Sequence, residues 1–289
     1  PWDLHKVTQF AMTYEIPIAP LGGPTTGSLV TYAGYSESDA ETAVGLVDLQ
    51  GAGSVIGTQY VTSLPTVLSI HHRLGLGAEW QEIEHEIDVG TTRVENSVRK
   101  LPLVLNWNGR RRDAYGQFGM YAGLRYQFAD LYRDFETEDY EAVRPDTDPG
   151  FWVWEFGVSR QHRLPGDLTF IMDARAQLPE DRLLPSEQYG LGGYNTVRGY
   201  RNRLIVADEA FVLRTEFRAP VLPPFLPGGI DENIQPLVFV DSGWAENVSP
   251  QGGELHKDEM LGAGLGLRLN MFDGALSGRV DAGWALKDV

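Results

Sequence analysis

The sequence predicts an all-β fold, an antiparallel up-and-down β-barrel that crosses a membrane with its strands. Apolar and polar side chains alternate along most of the 289 residues, and helical periodicity is hard to find. Many of the twelve predicted strands reach the ~9–11 residues that a tilted membrane-spanning strand needs. The links between them alternate between short and long, which is typical of outer-membrane barrels with short periplasmic turns and long extracellular loops.

The twelve predicted strands follow this alternation from end to end. They cover residues 5–19, 26–35, 54–63, 66–80, 91–106, 113–128, 150–163, 167–178, 209–219, 234–244, 259–271 and 275–287. Short links lie at 20–25, 64–65, 107–112, 164–166 and 272–274, and long links at 36–53, 81–90, 129–149, 179–208 and 245–258. The proline-rich link at 220–233 is the exception.

Each predicted strand has one apolar face, because successive side chains of a strand point to opposite sides of the sheet. We expect lipid to be faced by Phe118, Leu124, Phe170, Leu213, Phe217, Leu265 and Leu267. We expect the lumen to be faced by Arg125, Arg175, Arg214, Arg218, Arg268, Arg279, Glu155, Asp173, Glu216, Asp241 and Asp281. A large soluble β-protein is the alternative, and it would have to place these charges opposite continuous apolar rows.

Composition narrows the class of protein further. Lysine and arginine total 24 against 40 acidic residues, which gives a formal charge of −16. That balance argues against a nucleic-acid partner, since phosphates require a basic stripe. The absence of cysteine excludes disulfides and cysteine-based metal sites. Tryptophans mark the loop-side ends of predicted strands, where an interfacial aromatic girdle belongs, at Trp80, Trp152, Trp154, Trp244 and Trp284.

The most informative segment is Leu-Gly-Gly-Tyr-Asn-Thr-Val-Arg-Gly-Tyr at 191–200, inside the longest predicted loop, 179–208. A following strand ends in Thr-Glu-Phe-Arg-Ala-Pro at 215–220, and Val-Phe-Val-Asp-Ser-Gly occupies 238–243. Together these segments resemble the signature of the outer-membrane superfamily that contains BamA assembly factors and TpsB two-partner secretion transporters of the ShlB and FhaC type. The motif spacing and the Glu-x-Arg-x-Pro ending are more similar to TpsB.

The resemblance implies a barrel of about sixteen strands, with the motif loop between strands eleven and twelve. Eight predicted strands precede the loop here and four follow it, so residues 1–289 would correspond to strands four to fifteen. The upstream POTRA domains and the last strand would then lie outside this sequence. A complete twelve-stranded porin is the alternative.

The resemblance also implies that the motif loop folds back into the lumen and that its arginine pairs with an aspartate of the inner wall. A guanidinium held inside a barrel needs a carboxylate, because it cannot lose its charge. The predicted motif-loop residues are Val197, Arg198, Gly199 and Tyr200, with Asp241 and Glu216 as partners of the arginine and Gly192 and Gly193 as loop glycines. The alternative is an exposed arginine without a partner.

Other motifs point away from catalysis. The Gly-x-Gly-x-Gly segment at 262–266 is similar to a nucleotide loop, but it lies within an alternating strand with no helix after it. Glycine there would permit curvature of the sheet or the close approach of a plug. No arrangement of nucleophile and base or of paired carboxylates stands out, so we expect no enzyme, no cofactor and no metal.

The function implied by the resemblance is translocation of a partner polypeptide across the bacterial outer membrane. The expected partners are that secreted polypeptide and outer-membrane lipid, with no nucleic acid and no nucleotide. Folding of the substrate outside the cell would drive export, because the compartment has no ATP. A BamA-like insertase and a passive porin or structural barrel are the alternatives.

Overall fold

The computed structural model describes residues 9–18, 27–36, 42–44, 47–49, 52–89, 92–129, 136–222 and 232–289. One short α-helix, α1, spans Thr137–Val143. The strands are β1 Gln9–Ile18, β2 Gly27–Ser36, β3 Thr42–Val44, β4 Val47–Leu49, β5 Ala52–Val67, β6 Ile70–Val89, β7 Thr92–Lys100, β8 Leu103–Asp113, β9 Gly116–Gln127, β10 Phe151–Arg163, β11 Thr169–Pro179, β12 Tyr189–Leu191, β13 Ile205–Ala207, β14 Glu209–Arg218, β15 Glu232–Glu246, β16 Lys257–Met271 and β17 Leu276–Ala285. Within these residues, no helix has the length and apolar character required to span a membrane.

The described strands form one large sheet and two small ones. The order in the large sheet is β1-β2-β5-β6-β8-β9-β10-β11-β14-β15-β16-β17, with β7 paired to β6 beside this path. The strands of the path follow one another in sequence order, and β5 with β6, β14 with β15 and β16 with β17 pair antiparallel. Short hairpins are formed by β3 with β4 and by β12 with β13. The predicted antiparallel all-β fold class is confirmed.

The chain divides into two compact units. The first unit comprises Pro1–Gly109, Tyr121–Glu155 and Leu178–Gln188. The second unit comprises Arg110–Met120, Phe156–Gln177 and Tyr189–Val289. The motif hairpin β12–β13 and strands β14 to β17 therefore belong to the second unit.

Four predicted boundaries are wrong, and proline explains one of them. The predicted strand 91–106 is two strands, β7 and β8, separated at Leu101 and Pro102, since proline has no N–H to continue the ladder. Its carbonyl instead accepts a hydrogen bond from the Glu79 backbone at 3.1 Å. The predicted long link 81–90 lies largely within β6, and the predicted turn 107–112 is part of β8. The predicted link 64–65 lies within β5, and the turn to β6 is formed by Leu68 and Ser69.

The end strands of the second unit have an exposed apolar face. Phe217, Val238, Leu265, Val280 and Trp284 each expose between 49% and 59% of their surface. Of the seven residues expected to face lipid, Phe217, Leu265 and Leu267 are exposed, and the other four are half-buried. Such a continuous apolar face indicates a surface that does not meet water.

The opposite face of β14 to β16 is covered by the motif hairpin. A buried apolar cluster joins hairpin residues Leu191, Val197, Ile205 and Ala207 to strand residues Ala210, Val212, Ala245 and Met260. In the first unit, buried apolar clusters lie around Tyr140 and around Phe151. The core of the second unit therefore fixes the motif loop against the sheet.

Candidate functional site

The loop glycines shape the start of the motif. Gly192 and Gly193 have φ angles of +107° and +89°, a region that glycine enters without a steric penalty. The Gly192 N–H donates to Thr196 Oγ1, and that hydroxyl donates back to the Gly192 carbonyl, both at 2.8 Å. A Cβ on Gly192 would lie 2.5 Å from the Arg201 carbonyl oxygen, so these turns require glycine.

Arg198 is held by Asp241 through three contacts. Its Nε donates to Oδ2 at 2.6 Å, its Nη2 donates to Oδ1 at 2.8 Å, and its backbone N–H donates to Oδ2 at 3.2 Å. The side chain of Arg198 is 4% exposed and that of Asp241 is fully buried. Paired contacts of this kind are the strong form of an ion pair, because the planar guanidinium matches the carboxylate.

Two further carboxylates and a ring complete the surroundings of Arg198. Its Nη1 donates to Glu216 Oε1 at 2.6 Å and lies 3.5 Å from Asp281 Oδ2. The guanidinium carbon lies 3.6 Å from the centre of the Phe239 ring, within the range of a cation–π interaction. Burial lowers the pKa of Arg198, but the hydrogen bonds to Asp241 and Glu216 outweigh burial and raise it above its ordinary value. We call Arg198, Asp241 and Glu216 the ionic lock.

Neighbouring arginines balance these carboxylates. Arg268 donates to Asp281 at 2.6 Å and to Glu216 at 2.8 Å. Arg218 donates to the other oxygen of Glu216 at 2.8 Å. Because these groups come from β14, β16 and β17 and Asp241 comes from β15, the ionic lock is part of a charged network across four strands.

We call the face of β14 to β17 that carries the motif loop the wall. Glycines of the wall leave room for the backbone of the motif. A Cβ on Gly262 would lie 2.0 Å from the Arg198 carbonyl oxygen. A Cβ on Gly264 would meet the Phe239 ring at 2.4 Å, and one on Gly266 would meet Asp281 Oδ1 at 2.2 Å. Gly199 has a φ of +103°, and its Cβ would lie 2.6 Å from the Trp284 backbone. The Gly-x-Gly-x-Gly segment thus provides the space that the motif loop and its partner side chains occupy, and we call it the glycine seat.

Tyr200 links the motif to the backbone of β16 and to the backbone just after β17. Its hydroxyl accepts hydrogen bonds from the backbone N–H groups of Leu261 and Lys287 at 3.2 and 3.3 Å. The same hydroxyl lies 2.9 and 2.8 Å from the carbonyl oxygens of those two residues, to which it can donate. A hydroxyl has one proton and two lone pairs, so this group satisfies backbone groups just beyond the last residue pair of β16 and β17, Gly262 with Ala285.

The structure brings the sequence-predicted residues together in the second unit. Val197 enters the apolar core, Arg198 meets both Asp241 and Glu216, and Gly199 and Tyr200 lie against β16 and β17. Their role in the activity of the protein stays a prediction. The sequence assigned no role to Phe239, although its separation by two from Asp241 places both on one face of a strand.

Two other contributors had a weaker signal in the sequence. Asp281 and Arg268 were expected to face the lumen, without a link to the motif, and their contacts with the ionic lock depend on pairing between β16 and β17. No group of three or more His, Cys, Asp or Glu residues that could hold a metal ion occurs in the described ranges.

The sequence matches a known family over most of the chain. The model of the haemolysin secretion/activation proteins ShlB/FhaC/HecB matches residues 80–269, more than half of the 289 residues. The chain belongs to the ShlB/FhaC/HecB family. Proteins of this family are β-barrels of the bacterial outer membrane, and the predicted location and family resemblance are therefore confirmed. No curated protein matches the sequence.

Solved structures share the fold of this ShlB/FhaC/HecB member. CdiB from Escherichia coli superposes with a TM-score of 0.69 and 18% identity, covering 96% of this chain and 49% of CdiB. BamA from Haemophilus ducreyi, in a structure lacking POTRA domains 1–3, gives a TM-score of 0.58 and 13% identity, covering 97% of this chain and 63% of that one. The chain thus spans about half the length of CdiB.

Proposed function

We propose that the protein containing this chain is an outer-membrane transporter that translocates a partner polypeptide, as in two-partner secretion. Membership of the ShlB/FhaC/HecB family supports this function. The single observation that carries the proposal furthest is the buried contact between Arg198 of the motif loop and Asp241 of the wall. That contact defines a docked position for the loop, and breaking the contact would release the loop.

The chemistry of the site suits passage of a polypeptide better than catalysis. Arginine and carboxylate side chains alternate on the face that carries the motif loop, and each of the nearby carboxylates is paired with a guanidinium. Once the motif loop is released, an unfolded chain would meet charged side chains of both signs along this face. We expect no catalytic residue, no cofactor and no nucleotide, and we expect folding of the exported polypeptide to drive its movement.

The experiment compares bacteria that express the intact protein with bacteria that lack it. Mass spectrometry of the culture medium should identify a polypeptide that appears only when the intact protein is present. Arg198→Ala should reduce the amount of that polypeptide in the medium while the barrel remains in the outer membrane. An unchanged set of extracellular polypeptides in the presence and absence of the protein would contradict the proposal.

An insertase of the BamA type is the second candidate, because the BamA fold superposes on 97% of the chain. The same cells distinguish the two functions. An insertase would change the amounts of many other barrels in the outer membrane on depletion, whereas a transporter would change one extracellular polypeptide and leave the other barrels at their normal amounts.

A further inference from the structure

The loop that contains the motif has two halves that dock separately. We call residues 180–188 the first limb and residues 189–207 the second limb. The second limb carries the ionic lock and packs within the second unit. The first limb packs within the first unit and makes contacts that do not involve Arg198.

The centre of the first limb is a buried cluster of charges. The Lys100 ammonium donates to Glu187 Oε1 and, at 3.2 Å, to Ser186 Oγ. The Arg125 guanidinium donates to Glu187 Oε2 at 2.9 Å. The side chains of Lys100 and Glu187 are 0% and 3% exposed. Each carboxylate oxygen of Glu187 therefore has its own cationic partner.

Distant parts of the chain build this cluster. Lys100 ends β7, Arg125 lies in β9, and Glu187 lies in the loop, 87 positions after Lys100. Arg125 also lies 3.5 Å from Glu155 of β10. Burial raises the pKa of Glu187, but Lys100 and Arg125 lower it more, so that it falls below its ordinary value. The carboxylate is consequently charged in the docked limb.

Apolar contacts and backbone hydrogen bonds surround the charges. Leu183 packs with Phe151 and Val153, and Leu184 packs with Val98 and Tyr140. Arg144 donates to the Leu183 carbonyl at 2.6 Å. These contacts would hold the limb without any buried ion pair, and apolar replacement of such pairs is often neutral or stabilising.

We propose that Glu187, held by Lys100 and Arg125, is a second ionic anchor of the motif loop, and that the first limb must leave this anchor before the loop can leave the wall. The inference rests on the proposed transport function. An ion pair suits this task because its separated charges recover hydration in water, whereas exposed apolar groups do not. Lys100, Arg125 and Glu187 are positioning residues, since they act through the loop.

Cysteine reporters test the anchor in the intact protein in outer-membrane vesicles. The chain has no cysteine, so one reporter can be placed in each limb. Leu184 and Val197 are 3% and 0% exposed, and Leu184→Cys and Val197→Cys will therefore react slowly with a maleimide while their limbs are docked. The rate of labelling at each position measures release of that limb.

Glu187→Gln leaves Lys100 buried without its carboxylate, and we expect labelling of Leu184→Cys to become about tenfold faster or more. Labelling of Val197→Cys should accelerate by a similar factor, because the second limb leaves the wall only after the first limb has left its anchor. The matched control is Glu82→Gln, which removes the exposed Glu82–Arg99 pair and should leave both rates unchanged. Unchanged labelling of Leu184→Cys in Glu187→Gln would overturn the anchor.

A second variant tests whether the anchor must open during transport or only stabilises the docked limb. Lys100→Met with Glu187→Leu removes the two fully buried charges and keeps the site filled, while the 26% exposed Arg125 keeps Glu155 as a partner. Labelling of Leu184→Cys should therefore stay as slow as in the parent. We expect secretion to fall severalfold, because release would expose two further apolar side chains to water where the separated ion pair would have recovered hydration. Secretion at the parent level together with slow labelling would overturn the requirement for release.

The two readouts keep this inference apart from the proposed function. Labelling reports the anchor whether or not a polypeptide is exported. If the parent protein exports nothing, the transport function fails, and with it the requirement for release. The labelling rates of Glu187→Gln still decide whether Glu187 anchors the limb.

Discussion

Arg198 and Asp241 are joined by two parallel hydrogen bonds, Nε to Oδ2 at 2.6 Å and Nη2 to Oδ1 at 2.8 Å. The loop arginine reaches the β15 aspartate across a separation of 43 positions in the sequence. Both side chains are buried, so neither charge can be relieved by water if the other is removed. The pair therefore couples the position of the loop to a charge on the wall.

Loss of the arginine should release the second limb while the strands stay paired. We expect Arg198→Ala to reduce the free energy of loop docking by about 3–5 kcal/mol, the usual cost of leaving one member of a buried pair without its partner. Maleimide labelling of Val197→Cys should accelerate, and secretion should fall. In Arg198→Lys, labelling should remain nearly as fast and secretion nearly as low as in Arg198→Ala, because an ammonium cannot make two parallel contacts.

Arg201→Ala is the control for this experiment, since Arg201 lies in the same loop with an exposed side chain. We expect labelling and secretion to match the parent. Parent-level secretion by Arg198→Ala would mean that the ionic lock is dispensable for transport.

The glycine seat offers a test that leaves every charge in place. Gly262→Ala puts a methyl group where the Arg198 carbonyl oxygen would lie 2.0 Å away, too close for the docked loop. We expect faster labelling of Val197→Cys and reduced secretion, with the barrel still folded. Gly252→Ala is the matched control, because nothing lies within 4 Å of its added Cβ. Slow labelling in Gly262→Ala would show that the loop does not need this approach.

Sequence reasoning located the ionic lock because its parts are short motifs. Arg198 lies in Val-Arg-Gly-Tyr and Asp241 in Phe-x-Asp-x-Gly, and each motif can be recognised in the sequence without knowledge of the fold. The strands were predictable for a similar reason, since alternation with a period of two repeats over each of them. Pro102 was the missed signal for the break between β7 and β8.

The Glu187 anchor could not be predicted in this way. Lys100, Arg125 and Glu187 belong to no common motif, and their separation reaches 87 positions. Glu187 and Lys100 are residue types that are almost never fully buried unless they are paired. Only the packing of the first limb reveals the pair. Asp281 likewise joins the site through the register of β16 and β17.

Tyr200 should stabilise the strand ends locally. Tyr200→Phe removes a hydroxyl that the Leu261 and Lys287 backbone N–H groups use as an acceptor. We expect a local loss of about 1 kcal/mol, the usual net value of such hydrogen bonds, and faster hydrogen–deuterium exchange at those two amides. Tyr194→Phe, at an exposed tyrosine of the same loop, should leave their exchange unchanged. Equal exchange in both variants would contradict this role.

Acid should weaken the docking of the first limb. The pKa of Glu187 in the docked limb lies below its ordinary value because Lys100 and Arg125 stabilise the charged form. A carboxyl whose pKa is lowered on docking contributes stability above its pKa in the released limb, about 4.3 for a glutamate. That contribution is lost as the pH falls from about 4.3 through the lower value of the docked limb.

Hydrogen–deuterium exchange of residues 182–188, corrected for the intrinsic effect of pH, measures this loss. We expect constant protection from pH 7 to about 5 and weaker protection below about pH 4. Glu187→Gln should be weakly protected at neutral pH and should lose the part of the pH dependence that comes from Glu187, since an amide does not titrate. Protection that falls equally with acid in the parent and in Glu187→Gln would assign the pH dependence to other groups.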